Sequence, residues 1–306
     1  MGATWIALQD KKLALILLLL CGTSLLQSLS AWPGNLSVEQ IRPSEADPTV
    51  TRFDEPNYVV FDDEATSDSQ LVVYMPGTNG KPSGSARLLS TIAAQGYRVI
   101  GLEYNDSPAV VEVCPQNPRP ACSSDFRQER IFGGGASTVV ENTQAESVIN
   151  RLVSLLRYLS EHDPQRQWGV YLVDGAPNWS RIVVSGLSQG AGMAAYIAKK
   201  NTVARVVLFS SPWDFQRGTR KLAPWISSPS ATPPERWYAE YHRRENTAAL
   251  IANAYAALKI PTDNIRVFDL DLPPDVKAKG NNPFHASTAK FSAYAPEWVF
   301  LFGRSP

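Results

Sequence analysis

The stretch Arg181–Lys200, RIVVSGLSQGAGMAAYIAKK, changes character twice within twenty residues. The β-branched run Ile182–Val184 reads as a buried strand, Gly186 to Gly190 as a tight turn, and the alanine-rich remainder as a slim helix. A chain that leaves a strand and enters a helix at once must strain its turning residue, and glycine is the neighbour that tolerates the crowding. Gly186 and Gly190 stand two residues either side of Ser188, while Ala191, Gly192, Ala194 and Ala195 let the helix lie close to the sheet. Ser188 is then held out at the carboxyl end of its strand. The ordinary alternative for such a serine is a helix cap, and the elements around it decide between the two.

Working outward, YVVF from Tyr58, LVVYM from Leu71 and YRVIGLEY from Tyr97 read as strands, with the helical SARLLSTIAAQG between the last two. That is a βαβ unit and predicts parallel strands. A long irregular stretch from Asn105 to about Thr143 follows, of the length that carries function or shields a site. Val148, Leu152, Leu155, Leu156 and Leu159 then recur at helical spacing. RVVLFSS, RWYAEYH and IRVFDL are later strands, and TAALIANAYAALK lies as a helix before the last. The prediction is an α/β fold with a mostly parallel central sheet flanked by helices. Between Ser210 and Arg236 there is space for a loop but not for a large helical lid, so an open cleft is expected. Trp213, Trp225 and Trp237 are candidates to line it, the competing reading being that they pack this loop onto the body.

Lys+Arg and Asp+Glu both number 29 among 306 residues, which leaves no electrostatic footprint for nucleic acid or an anionic membrane. Lys11 and Lys12 precede the apolar run LALILLLLCGTSLL, and Ser28, Ser30 and Ala31 offer a cleavage site, so residues 1–31 read as a signal peptide. The run is shorter than the roughly 20 residues of a spanning helix, which makes an uncleaved anchor the lesser reading. Leu20 before Cys21 argues against lipidation. A secreted or periplasmic protein is expected, with a proline-rich lead-in over 32–56, exposed or forming a loosely attached first strand, and one catalytic domain over 57–306. Cys114 and Cys122, in CPQNPRPAC, form an even pair in an exported chain and are expected to be a disulfide; no His, Asp or Glu lies among them at metal-binding spacing. Asn35, Asn105 and Asn178 head glycosylation sequons that matter only in a eukaryotic host.

A serine hydroxyl attacks only when a base takes its proton. Of three histidines, His162 ends a helix before the serine, His242 ends the strand RWYAEYH, and His285 lies in the polar NNPFHAST after the last strand. Chain order Ser, acid, His selects His285 as base. The imidazole needs a carboxylate to orient it. Glu245, after the penultimate strand, is preferred; Asp214, after the strand before that, is the alternative, and Asp269 and Asp271 are weaker. His242 is read as structural support for that corner. Negative charge on an attacked carbonyl calls for backbone N–H donors: Gln189, next to the nucleophile, supplies one, and Thr78 in MPGTNGKP the other, a plain proline-glycine turn being the bland reading of that loop.

The P-G-T loop, the G-L-S-Q-G elbow and the late histidine together resemble the α/β-hydrolase superfamily from about Tyr58 to Phe302, and within it an exported, esterase- and lipase-like group. Members of that group carry P-G-T-x-x-x-P, a cysteine pair in the next long loop and an acid three places after a strand-terminal histidine, here PGTNGKP, Cys114 with Cys122, and His242 with Glu245. Pro76 stands where the common oxyanion loop has histidine, and the acid is Glu rather than the commoner Asp. The resemblance implies serine-dependent hydrolysis of a small or polymeric ester through an acyl-enzyme. It needs no metal, organic cofactor, nucleic acid or membrane partner, and a monomer is expected. Acid loss of activity near pH 6 to 7 would follow from a histidine base, and a profile flat to about pH 4 would contradict it. The alternatives are a non-catalytic binding protein on the same scaffold and an acyltransferase or peptidase using the same residues.

Overall fold

A computed structural model describes residues 35–216, 218–219, 221–273 and 282–305. Two compact units divide the chain, Met1–Pro33 and Gly34–Pro306, and the described residues all belong to the second. The signal peptide expected over 1–31 lies outside the described residues.

Eight strands form the central sheet: β1 (Leu36–Ile41), β2 (Asn57–Asp62), β3 (Leu71–Met75), β4 (Arg98–Gly101), β5 (Ile182–Leu187), β6 (Arg205–Phe209), β7 (Trp237–His242) and β8 (Ile265–Phe268). Their spatial order is β1-β2-β4-β3-β5-β6-β7-β8. β1 and β2 run antiparallel, as do β2 and β4, and every pairing from β4 to β8 is parallel. The lead-in is therefore part of the fold: Leu36–Ile41 pairs with β2 along its whole length.

The central strands are apolar without alternation because both faces of the sheet are covered. In β3 and β5 every residue is buried. Val73, Val184 and Leu208 point into one cluster, and Val72, Val183 and Val207, one residue away on each strand, into the other. α1 (Ala86–Ala93) covers the second face through Leu88, Leu89 and Ile92. α2 (Cys122–Phe132), α3 (Val148–His162), α4 (Gln189–Lys200) and α5 (Ala248–Ala257) cover the first, and α6 (Ala295–Phe302) joins α1 on the second with Trp298, Leu301 and Phe302. Each such fully buried side chain contributes about 1.5–3 kcal/mol of hydrophobic free energy. The strand order and the strand–turn–helix at Ser188 define an α/β-hydrolase fold.

The stretch read as irregular between 105 and 143 contains α2, whose buried face carries Arg127, Glu129 and Arg130 as well as Phe126 and Ile131. Cys114 and Cys122 are joined by a disulfide that closes the loop in front of it. Between β6 and β7 the described residues form a two-residue strand pair, Phe215–Gln216 with Lys221–Leu222, a four-residue helix, Pro224–Ser227, and a single 3-10 turn, Pro234–Arg236. No lid is built from them. Among the described residues no helix is long and apolar enough to cross a membrane.

Candidate active site

Ser188 occupies the single position between the end of β5 and the start of α4, with φ 55° and ψ −117°. That conformation costs a non-glycine residue about 1–3 kcal/mol and persists only where the surroundings enforce it. The enforcing contacts are backbone ones. A Cβ on Gly190 would sit 2.0 Å from the Met75 carbonyl oxygen, and one on Gly186 2.5 Å from the Gly190 carbonyl carbon. Strand β3, the turn and the first turn of α4 thus touch backbone to backbone. The Ser188 N–H donates to the Phe209 carbonyl at 2.9 Å, which ties the turn to the end of β6.

His285 Nδ1 lies 2.6 Å from Glu245 Oε2, with the carboxylate fully buried and the imidazole 20 % exposed. Glu245 Oε1 accepts from the Ser210 hydroxyl at 2.6 Å and from the His242 N–H at 2.8 Å. An ionised carboxylate is an acceptor only, so Nδ1 carries the proton of this pair and Nε2 is the nitrogen left to act as a base. His242 supports the corner. Its Nδ1 accepts from the Arg244 N–H at 3.1 Å and its Nε2 donates to the Leu270 carbonyl at 3.0 Å. The ring stacks on Phe284, immediately before His285, with centroids 4.4 Å apart. Burial holds the His242 pKa below the usual histidine value, consistent with a neutral structural ring.

Ser188, Ser210 and Glu245 follow β5, β6 and β7 in turn, so all three lie at the carboxyl edge of the sheet, where ligands of open α/β sheets bind. Bonded neighbours link them: Ser188 to Phe209, Ser210 to Glu245, Glu245 to His285. Ser188 Oγ and His285 Nε2 share no hydrogen bond among the described residues. Catalytic hydrogen bonds are often long in unliganded sites and tighten when substrate binds.

The P-G-T loop lies directly over the serine. A Cβ on Gly77 would stand 3.2 Å from the Ser188 Cβ and 3.3 Å from the Leu187 carbonyl oxygen. Tyr104 donates its hydroxyl proton to the Pro76 carbonyl at 2.9 Å, and Asp106 accepts the Gly80 N–H at 3.1 Å. Burial pushes the Asp106 carboxyl up to about 6, with the N–H groups of Asn79 and Gly80 opposing the rise. Gln189 begins α4, where the first N–H groups have no acceptor within the helix. Its side chain is bound to the neighbouring loop, accepting from the Val110 N–H at 3.2 Å and donating to the Pro108 carbonyl at 3.3 Å. Thr78, Ser188 and Gln189 line one small cavity of about 30 Å³. A larger open groove, about 530 Å³, lies at the amino ends of β6 and β8 among Arg205, Asn264 and Arg266, at the opposite edge of the sheet.

Asp214 does not meet His285. Its carboxylate accepts Arg127 Nε at 2.7 Å and Nη2 at 2.5 Å, and the Trp225 indole N–H at 2.9 Å. Both members of this ion pair are buried, and they form part of the cavity wall beside Ser188. The alternative acid is thus spent on an arginine, a partner the sequence reading did not supply. Two of the three tryptophans follow the packing reading rather than the cleft-lining one. Trp237 is buried in the core and donates to the Thr232 carbonyl at 3.1 Å, and Trp225 packs behind the ion pair. Trp213 alone of the three lines the cavity. Asp269 and Asp271 pair with Arg243 and Arg244 instead. His162 bonds the Tyr158 carbonyl on an exposed helix end. Ser210, Asp106 and Arg127 were not singled out from sequence; each acts through a partner far along the chain.

No family model matches the chain, and the search of curated proteins returns no match. Solved structures do resemble it. A bacterial heroin esterase shares 14% identity over 90% of this chain and 86% of its own, with a TM-score of 0.45. A hormone-sensitive lipase from a metagenome library shares 14% over 87% and 84%, at 0.45. Esterase B from Lactobacillus rhamnosis, solved with a tributyrin phosphonate inhibitor, shares 15% over 88% and 84%, at 0.48.

Proposed function

We propose that the chain is an exported serine hydrolase that cleaves carboxylic esters. The observation that carries this reading is the pairing of buried Glu245 with His285, 2.6 Å apart, at the same sheet edge as a serine strained to φ 55° between two glycines that admit no Cβ. His285 Nε2 takes the Ser188 proton as Oγ bonds to the ester carbonyl carbon, and the carbonyl electrons move onto oxygen. The N–H groups of Thr78 and Gln189 receive that charge. As the tetrahedral carbon collapses, the C–O bond to the alcohol breaks and His285 returns its proton to the leaving oxygen. Water then repeats the sequence on the acyl-serine and regenerates Ser188. Glu245 stays ionised and stabilises the imidazolium in both halves. The disulfide suits an oxidising compartment and supports export.

Mass spectrometry after treatment with a p-nitrophenyl phosphonate ester tests the reading. One phosphonyl adduct on Ser188 is expected, with none on Ser188→Ala and kcat/KM on p-nitrophenyl acetate lowered about 10⁴-fold or more in that variant. An unlabelled Ser188 in folded protein would favour a binding protein on the same scaffold. Product analysis with added alcohols, amines or peptides separates hydrolysis from transfer and from peptide cleavage.

A further inference from the structure

The cavity beside Ser188 says which part of an ester it accepts. Its volume is about 30 Å³, and a single water needs roughly 10–15 Å³ of such space. Two or three atoms fill it. Thr78 and Gln189, whose N–H groups would meet the carbonyl oxygen, both line it, and His285 does not. The leaving alcohol must take its proton from His285 and so lies on that side, outside the cavity. The acyl remainder goes in.

The walls resist enlargement. Val110 is tied by its N–H to Gln189 Oε1 at 3.2 Å, and the short helix it begins ends against the Cys114–Cys122 disulfide. Trp213 packs against the core and stacks on Phe215. Another part of the wall is the Arg127–Asp214 ion pair, with side chains 1 % and 2 % exposed. Arg127 in turn lies against α4 at Gly192, where a Cβ would come within 2.4 Å of its Cζ. A longer alkyl chain would have to displace Trp213 or press apolar surface onto a buried charge pair, and both oppose binding. We infer that the enzyme is selective for acetyl-sized acyl groups and hydrolyses acetyl esters of larger alcohols, the alcohol remaining outside this cavity. This inference rests on the serine-hydrolase reading above.

The test is kcat/KM of the full chain for p-nitrophenyl acetate, propionate, butyrate and octanoate, with Ser188 labelling rates by p-nitrophenyl methylphosphonate and butylphosphonate esters measured in parallel. Acetate is expected to exceed butyrate by about 50-fold or more, and methylphosphonate to label correspondingly faster than butylphosphonate. In Trp213→Ala the butyrate-to-acetate ratio should rise at least tenfold. An acetate preference below tenfold in the wild type, with Ser188 labelled, overturns the acyl-size inference and leaves the hydrolase reading standing. An unchanged ratio in folded Trp213→Ala likewise overturns the assignment of this cavity. Should that variant not fold, the wild-type ratio decides alone. No labelling and no turnover with any reagent would remove the hydrolase reading and this inference with it.

Discussion

Replacing Glu240 by Gln should stabilise the protein by an amount that grows with pH. Glu240 lies in β7, is 0 % exposed, and neither carboxyl oxygen makes a well-formed hydrogen bond among the described residues, the nearby Thr288 hydroxyl only offsetting part of the rise in its pKa. Burial first, and the charge of Glu245 second, hold its pKa well above the usual carboxylate range. The phenols of Tyr74, Tyr255 and Tyr294 feel the same acid, each pushed up mainly by its own burial and further by Glu240. In the native state Glu240 therefore keeps a proton that the unfolded chain gives up above about pH 4.5. The unfolded state then binds fewer protons, so stability falls as pH rises, by at most about 1.4 kcal/mol per pH unit for this one group. Its full contribution is present below the unfolded pKa and is lost as pH climbs toward the native one. Glutamine has no proton to lose. The stability difference, Gln variant minus wild type, should grow from pH 5.5 to 7.5, with about 1.4 kcal/mol per pH unit as its upper limit. Any cost of burying an unpaired amide is the same at both pH values and cancels. Urea unfolding of both proteins at pH 5.5, 6.5 and 7.5, with m-values checked for equality, reads the difference directly. A gap that does not change with pH would mean Glu240 is ionised and paired in the folded protein, and the reasoning would fail.

Three further outcomes follow from the same contacts. Arg127→Met leaves Asp214 charged in the interior with only the Trp225 N–H on its carboxylate, and should lose about 3–5 kcal/mol in urea unfolding, most of it restored in Arg127→Met with Asp214→Leu. Removing the Cys114–Cys122 disulfide, whose ends are 8 residues apart, should cost about 2.5 kcal/mol by loop entropy, seen as a lower urea midpoint of the double serine variant. Ser210→Ala takes one of two donors from Glu245 Oε1 and should cost about 1.5–3 kcal/mol, with a lower kcat on p-nitrophenyl acetate and little change in KM.

The strands and most helices were legible because their signal is local. RIVVSG, LVVYM and RVVLF are apolar on both faces, which only a covered parallel sheet explains, and the leucine spacing of α3 returns intact, with Val148, Leu152, Leu155, Leu156 and Leu159 all buried. α2 was not legible. Its sequence, CSSDFRQERIF, is too charged to read as a core helix, yet Arg127, Glu129 and Arg130 are all buried. Each finds its partner outside the helix: Arg127 on Asp214, Glu129 on the N–H groups of Ala136 and Asn142, Arg130 on Asn142 and the Ser107 carbonyl. A charged residue looks like surface until its partner is known, and a buried pair leaves no periodicity behind.

The same limit explains why the sequence favours Glu245 as the acid opposite His285 but leaves Asp214 open. Glu245 and Asp214 both follow strands of the sheet, and both are nearly sealed from solvent. What separates them is the partner each meets. Asp214 faces α2, where Arg127, 87 residues earlier, takes both its oxygens. Glu245 faces the segment after β8, and its free oxygen meets His285, 40 residues later, while Ser210 and the His242 N–H hold the other. Glu240, five residues before Glu245, has neither arginine nor histidine and no well-formed hydrogen bond to its oxygens among the described residues, only the nearby Thr288 hydroxyl, so two carboxyls in one buried region reduce their repulsion by keeping a single charge, on the one with the stronger donors. Three acids near one sheet edge thus divide into a wall, an orienting carboxylate and a neutral neighbour. The division is set by which cation or donor the fold brings to each, and that is a property of tertiary contacts rather than of any window of sequence.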